Sequence, residues 1–142
     1  MSWREDLTPP CGVSAGIEKD TVMRGKAAEH LRSAELLWRH GQYRDAVSRA
    51  YYASFAAMCV FVGEPPHGRW EHPGLRGVFV PQLSGRGVPA TECHRLRQRL
   101  RSLHDARTDA DYTTVAVDAT TVQEALAIVR DILEIVQRYE QR

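Results

Sequence analysis

The chain has 142 residues, of which 43% are hydrophobic and 26% are charged, and its formal net charge is +1. This length fits one domain with a single core, and the composition excludes a wholly disordered chain. A net charge this small excludes a global electrostatic attraction to nucleic acid or to an anionic membrane.

The first 18 residues are interrupted by proline and glycine, which predicts a loose arm ahead of a single domain at residues 19–142. This arm carries Glu5 and Asp6 and has no apolar run, so it does not resemble a secretory leader. The longest apolar stretch, residues 55–62, is far shorter than the roughly 20 residues that a membrane span needs. We therefore expect a cytoplasmic protein without membrane contact.

Two helices are predicted next along the chain. The first runs from near Thr21 to His40 and is stopped by Gly41. Its apolar residues recur at three- and four-residue spacing: Ala27, Leu31, Ala34, Leu37 and Trp38. The second runs from about Tyr43 to Val62 and is apolar on nearly every side. A helix with so little polar surface is normally buried at the centre of a bundle.

The segment between Gly63 and Ala90 contains six of the ten glycines and five of the seven prolines. This composition predicts a long loop with one short helix near Leu75 to Leu83. A connection of this length inside a compact domain is usually functional or mobile.

The remaining chain predicts two more helices. One spans roughly Thr91 to Arg107, with an apolar stripe formed by Leu96, Leu100 and Leu103. The other is predicted to begin at a capping box, Thr121 with Glu124 three residues later, and carries a clean apolar stripe over five turns. With no competing strand pattern, we predict an all-α fold, an antiparallel bundle of four long helices plus one short helix in the insert.

Polar side chains interrupt the apolar second helix along one line. Asp45, Arg49 and Tyr52 stand at positions i, i+4 and i+7, which places them on one side of the helix. One interpretation is an internal Asp45–Arg49 salt bridge with a half-exposed tyrosine. The other is a polar strip that lines a cleft, and the spacing alone leaves both open.

The fourth helix carries a matching feature at its end. Arg107 continues the leucine stripe, so it should point toward the bundle interior, and Asp111 four residues later could pair with it if the helix continues. Tyr112 follows. An inward arginine on one helix and a polar line on another predict a shared polar cavity, because a buried charge requires partners.

Three segments, GQYRDAVSRAYYASFAA, EHPGLRGVF and LRSLHDARTDADY, follow in this order along the chain. Together they resemble the HEPN (higher eukaryotes and prokaryotes nucleotide-binding) superfamily, in the branch with an RAYYA-type second helix, a loop histidine before a short helix and a terminal R..ADY. The resemblance implies a dimeric helical bundle that pairs with a minimal nucleotidyltransferase in toxin–antitoxin or defence modules. The family positions carried over are Arg49, Tyr51, Tyr52, His72, Arg107, Asp111 and Tyr112.

Many HEPN proteins are metal-independent endoribonucleases that use an arginine followed after four to six residues by a histidine. Arg99 and His104 fit this spacing, but an arginine-rich chain produces such matches by chance. In the resembling segment the arginine is Arg107, and five residues later stands Tyr112, whose phenol is a poor base at neutral pH. His104 lies one turn before Arg107 and is expected to face elsewhere on an ideal helix.

Metal and cofactor sites are not expected. The three cysteines are far apart and form no CxxC pair: Cys11, Cys59 and Cys93. The set His67, His72, Cys93 and His94 lacks the ligand pairs typical of zinc. The glycines of the insert follow no strand, so no phosphate-binding glycine loop is encoded.

The leading hypothesis is a dimeric bundle that binds a nucleotide or RNA and partners a nucleotidyltransferase. Its predicted ligand-binding residues are Arg49, Tyr52, His72, Arg107, Asp111 and Tyr112. The second hypothesis is an endoribonuclease toxin that uses His104 or His72 with Arg99 or Arg107. The third is a structural partner whose polar cavity is only an ion-pair network.

Overall fold

The computed structural model describes residues 15–65 and 67–140, and within these ranges every regular element is helical. The helices are α1 (Ala15–Arg39), α2 (Tyr43–Val62), α3 (His72–Gly85), α4 (Ala90–Tyr112) and α5 (Ala119–Tyr139). The predicted fold class is therefore confirmed. None of these described helices is long and apolar enough to cross a membrane.

The central element is α2, which packs against each of the other four helices. Its buried residues are mostly small, which lets the neighbouring helices approach closely: Ala46, Val47, Ala50, Tyr51, Ala53, Ser54, Ala56, Ala57, Met58 and Phe61. The buried hydroxyl of Ser54 is satisfied because it donates to the carbonyl of Tyr51 at 2.6 Å. The predicted burial of this helix at the centre of the bundle is confirmed.

The ends of α1 and α3 differ from the sequence prediction. α1 begins at Ala15 rather than near Thr21, so the last four residues of the predicted arm are helical, and residues 1–14 lie outside the described ranges. α3 begins at His72, earlier than the predicted Leu75, with a proline in its first turn. A proline costs little there, because its missing N–H would have no helical partner in any case.

The start of α5 also corrects a prediction. The helix begins at Ala119, and its N-cap is Asp118, whose carboxylate accepts from the backbone N of Thr121 at 2.9 Å. Thr121 therefore lies in the first turn and does not cap the helix, so the predicted Thr121–Glu124 capping box is wrong. The backbone N–H and the hydroxyl of Thr121 both donate to the Asp118 carboxylate, and these hydrogen bonds lower the pKa of that carboxyl.

One arginine of α2 fixes the end of α4, which extends beyond the predicted Arg107 to Tyr112. The side chain of Arg44 donates to four backbone carbonyls, those of Asp109, Ala110, Thr113 and Val115. The last carbonyls of a helix have no partner within the helix, so a guanidinium placed among them acts as a cap. Arg44 thus holds the segment around Tyr112 against α2.

We predict that Arg44→Ala lowers the free energy of unfolding by about 2 kcal/mol, because the charged hydrogen bonds to the end of α4 are lost. Urea denaturation followed by circular dichroism measures this loss. The matched control is Arg39→Ala, an exposed arginine at the end of α1, which should change stability by no more than about 0.5 kcal/mol. Equal effects of the two substitutions would contradict the capping role.

Candidate functional site

Arg107 of α4 lies at the centre of a polar and aromatic cluster, with its side chain only 13% exposed. Its Nη2 donates to the hydroxyl of Tyr52 at 2.9 Å and to the hydroxyl of Tyr112 at 3.4 Å. Its guanidinium carbon also lies 5.2 Å from the ring centroid of Tyr51, in range of a cation–π interaction. The structure therefore brings the predicted residues of α2 and α4 together.

Arg107 keeps hydrogen-bonding capacity that the protein does not use. Its Nε lies 3.0 Å from Asp111 Oδ2, but this buried N–H is not aligned with any acceptor in the described chain. Asp111 thus balances the positive charge of Arg107 but does not accept a hydrogen bond from its Nε–H. No group in residues 15–65 and 67–140 accepts a hydrogen bond from Nη1 either. The Nε donor is buried, so the two N–H groups of Nη1 are the donors that remain for an external anion.

The predicted His72 is held by α2. Its Nδ1 is 2.7 Å from the Tyr51 hydroxyl, and the two rings stack with centroids 5.4 Å apart. The ring of Phe55 packs on the same imidazole at 4.5 Å. Burial raises the pKa of Tyr51, although the charges of Arg76 and Arg107 oppose this rise. The phenol therefore stays protonated and can donate to Nδ1, which leaves the proton of the neutral imidazole on Nε2.

Two further histidines complete the site. The His104 ring lies 6.1 Å from the Tyr51 ring, edge to face, and the His30 ring of α1 lies 5.9 Å from the Tyr52 ring. The expectation that His104 faces away is wrong, because residues three apart on a helix occupy neighbouring sides one turn apart. We call this group the Arg107 cluster: His30, Tyr51, Tyr52, His72, His104 and Arg107.

Two histidines of this cluster, His30 and His72, are held largely neutral. Burial lowers the pKa of His72, and the positive charge of Arg107 lowers it further. The pKa of His30 is lowered by burial and then by Arg49, whose Nη1 lies 3.4 Å from His30 Nδ1. At neutral pH both rings are therefore mainly unprotonated.

Other predicted residues have different surroundings. Arg99 is ion-paired with Asp131 of α5, so the structure does not join it to His104, which packs on α2. Arg49 faces His30 rather than Asp45, and Asp45 is exposed. Of the two interpretations of this polar line, the Asp45–Arg49 salt bridge is thus not present between these described residues.

The residues considered for a metal site are also separated. His67 and His94 are exposed, whereas Cys93 is buried with its Sγ 3.7 Å from the carbonyl of Val88. Within the two described ranges, no group of three histidine, cysteine or acidic side chains could hold a metal ion.

Sequence reasoning missed three contributors to the site. His30 borders the apolar stripe of α1 and approaches Tyr52 only after α1 and α2 pack. Arg76 lies one turn after His72, so its charge acts on both His72 and Tyr51. This spacing of four residues was a usable signal. The sequence gives no signal for the role of Arg44, because its carbonyl partners are 65 to 71 residues away along the chain.

Comparison with known proteins gives two matches. The chain matches the HEPN domain family over residues 22–139. It is also 30% identical over 112 residues to a protein of Methanocaldococcus jannaschii that is named as a candidate toxin, and the aligned region covers 79% of each chain. The range matched by the family, residues 22–139, includes every residue of the Arg107 cluster.

The histidine pKa shifts predict a pH dependence of stability. Folding lowers the pKa of His72, so its neutral ring contributes to the free energy of unfolding. This contribution is complete above the pKa of the unfolded chain, about 6.5. This contribution is lost as the pH falls below that value and through the folded pKa, where protonation also removes the acceptor that Tyr51 uses. The melting temperature should therefore fall between pH 7.5 and pH 5, as measured by circular dichroism.

The substitution His72→Gln should flatten part of this pH slope, since glutamine keeps an acceptor but does not titrate. His94→Gln, at an exposed position of α4, should leave the slope unchanged. If the slopes of the wild type and His72→Gln coincide, the buried neutral state of His72 is refuted.

Proposed function

The chain belongs to the HEPN domain family, and from that premise we propose that it binds RNA or a nucleotide at the Arg107 cluster. The observation that carries this proposal is the arrangement of Arg107 itself. Tyr52 fixes the orientation of its guanidinium at 2.9 Å, while Nη1 keeps its donors free. A preoriented guanidinium with free donors suits the oxygens of a phosphate group.

The groups around Arg107 fit the same ligand. Arg49 contacts His30, and Arg76 is close enough to lower the pKa of His72, so three guanidinium groups from three helices surround the histidines. His72 with its proton on Nε2 provides a neutral donor for a phosphate oxygen. Positive charge and neutral donors together favour a polyanion over a neutral metabolite.

Tyr112 offers a surface for a base. Its side chain is 71% exposed, yet its ring is held 5.2 Å from the guanidinium carbon of Arg107. An aromatic ring that is both exposed and fixed can stack on any nucleobase without selecting its sequence. Tyr112, already among the predicted ligand-binding residues, would thus act as a stacking group beside a phosphate-binding arginine.

We further propose that the chain acts in the cytoplasm as part of a toxin–antitoxin or defence-type module. The similarity to a candidate toxin supports this part of the proposal. The partner is a nucleotidyltransferase, as the family resemblance implies, and the chain pairs with a second copy of itself. The exposed end of α4, where Tyr112 stands, is accessible to such a partner.

A second candidate function is RNA cleavage without a metal, and the position of His104 favours it. The rings of His72 and His104 lie 5.4 and 6.1 Å from the Tyr51 ring, which Arg107 also contacts. One imidazole could remove the proton of a ribose 2′-hydroxyl, whose oxygen then attacks the adjacent phosphorus. The 5′-oxygen of the next nucleotide leaves and takes up the proton of the imidazolium formed in the first step, while Arg107 stabilises the charge on the phosphorane.

Binding is tested with a fluorescein-labelled RNA hexamer in fluorescence anisotropy. We predict that Arg107→Gln weakens binding by about 10- to 100-fold, because a charged hydrogen bond is lost. The matched control is Arg99→Gln, since Arg99 is on the same helix but pairs with Asp131. Its affinity should stay within about twofold of the wild type. The proposal would be refuted if the wild type did not bind the hexamer, or if both variants lost the same amount of affinity for it.

Cleavage is tested by incubating the protein with total RNA in EDTA. If the second candidate is right, the wild type cuts RNA, and both His104→Ala and Arg107→Ala abolish cutting. Arg99→Ala should retain cutting, because the structure separates Arg99 from His104. Binding of the hexamer without any cutting of RNA would leave the binding function and exclude the nuclease.

A further inference from the structure

A groove of about 870 Å³ opens between the first half of α1, the second half of α2 and the loop that leads to α3. Its lining is mainly apolar and includes two aromatic rings, those of Phe55 and Trp70. Met23 and Val60 contribute further apolar surface. This volume lies in the range of sites for small ligands. The cluster around Arg107 does not account for this groove.

The groove is continuous with the Arg107 cluster. Phe55 lines the groove, and its ring also packs on the His72 imidazole at 4.5 Å. On α1, Lys26 lines the groove one turn before His30, which contacts Tyr52. From Tyr52 to Val62, the end of α2, the surface extends about 15 Å along the helix axis, which corresponds to between four and five base steps of about 3.4 Å. A ligand longer than one nucleotide can therefore reach from the cluster into the groove.

Aromatic and cationic groups are arranged along this surface. The indole Nε1 of Trp70 donates to the carbonyl of Gly63 at 2.8 Å, which fixes the ring at the wall of the groove. Among the described residues, neither Lys26 nor Arg69 forms an ion pair, although both line the groove. Both acidic lining residues are paired, Glu64 with Lys19 at 3.3 Å and Asp20 with Arg24 at 2.7 Å. The groove thus combines a fixed aromatic ring with two cations that lack a counter-ion.

We propose that this groove is a subsite for single-stranded RNA, which binds the nucleotides adjoining the one held at Arg107. The bases pack on Trp70 and Phe55, and the backbone phosphates lie against Lys26 and Arg69. Sites for single strands combine stacking rings with a positively charged path in this way. A wholly apolar ligand would leave both cations unused. This inference rests on the proposed function of the Arg107 cluster and extends it from a mononucleotide to an oligonucleotide.

The test compares two probes, AMP and a fluorescein-labelled RNA hexamer. Trp70→Ala and Lys26→Gln should each weaken hexamer binding by about tenfold, because a stacked base or a phosphate contact is lost. Both variants should bind AMP within about twofold of the wild type, since AMP occupies only the Arg107 cluster. Arg107→Gln should weaken the binding of both probes.

Controls separate the subsite from a change in folding. Trp70→Phe keeps a ring and should retain most hexamer affinity. Arg95→Gln removes a charge from a different groove, between α4 and α5, and should have no effect. Lys26 is exposed, so Lys26→Gln should keep the fold. It therefore still tests the subsite if Trp70→Ala unfolds the protein.

Three outcomes would overturn the proposal. If the wild type binds both probes and neither groove variant changes hexamer affinity, only the subsite is wrong. The subsite is also wrong if Lys26→Gln changes the molecular mass measured by light scattering but leaves hexamer affinity unchanged. The groove would then contact a second copy of this chain and not RNA. If the wild type binds neither probe, the proposed function itself fails.

Discussion

The organisation of this protein depends on one half-buried guanidinium. A charge that is only 13% exposed requires compensation, and Arg107 obtains it from the Tyr52 hydroxyl and the Asp111 carboxylate. These contacts require that α4 stays helical through Tyr112 and that α2 presents its tyrosines at the same level. Arg44 secures the first requirement by capping α4. The site is thus set by the packing of two helices and not by a loop.

The sequence was sufficient for most of the fold and for the centre of the site. The ends of α2 were predicted correctly, because Gly41 and Gly63 bound an almost continuous apolar run. The approach of Arg107 to Tyr52 was also predictable, since polar residues on two apolar stripes need partners inside a bundle. The capping box failed because an aspartate three residues before Thr121 is an equally good cap.

The parts that could not be predicted depend on contacts between distant segments. His30 enters the site only because α1 and α2 pack side by side, and Arg44 donates to carbonyls between Asp109 and Val115. The pairing of Arg99 with Asp131 likewise required the position of α5. Spacing along a single helix gives no information about such contacts. The spacing of Arg99 and His104 therefore could not show whether the two side chains meet in one site.

The central claim is that the three histidines of the Arg107 cluster, from three different helices, share one ligand. Nuclear magnetic resonance of the histidine rings during titration with an RNA hexamer tests it most directly. We expect His30, His72 and His104 to shift together with one dissociation constant, while the exposed His40 and His94 do not move. Rings of the cluster that stay unmoved, or that shift with different midpoints, would contradict a single shared site.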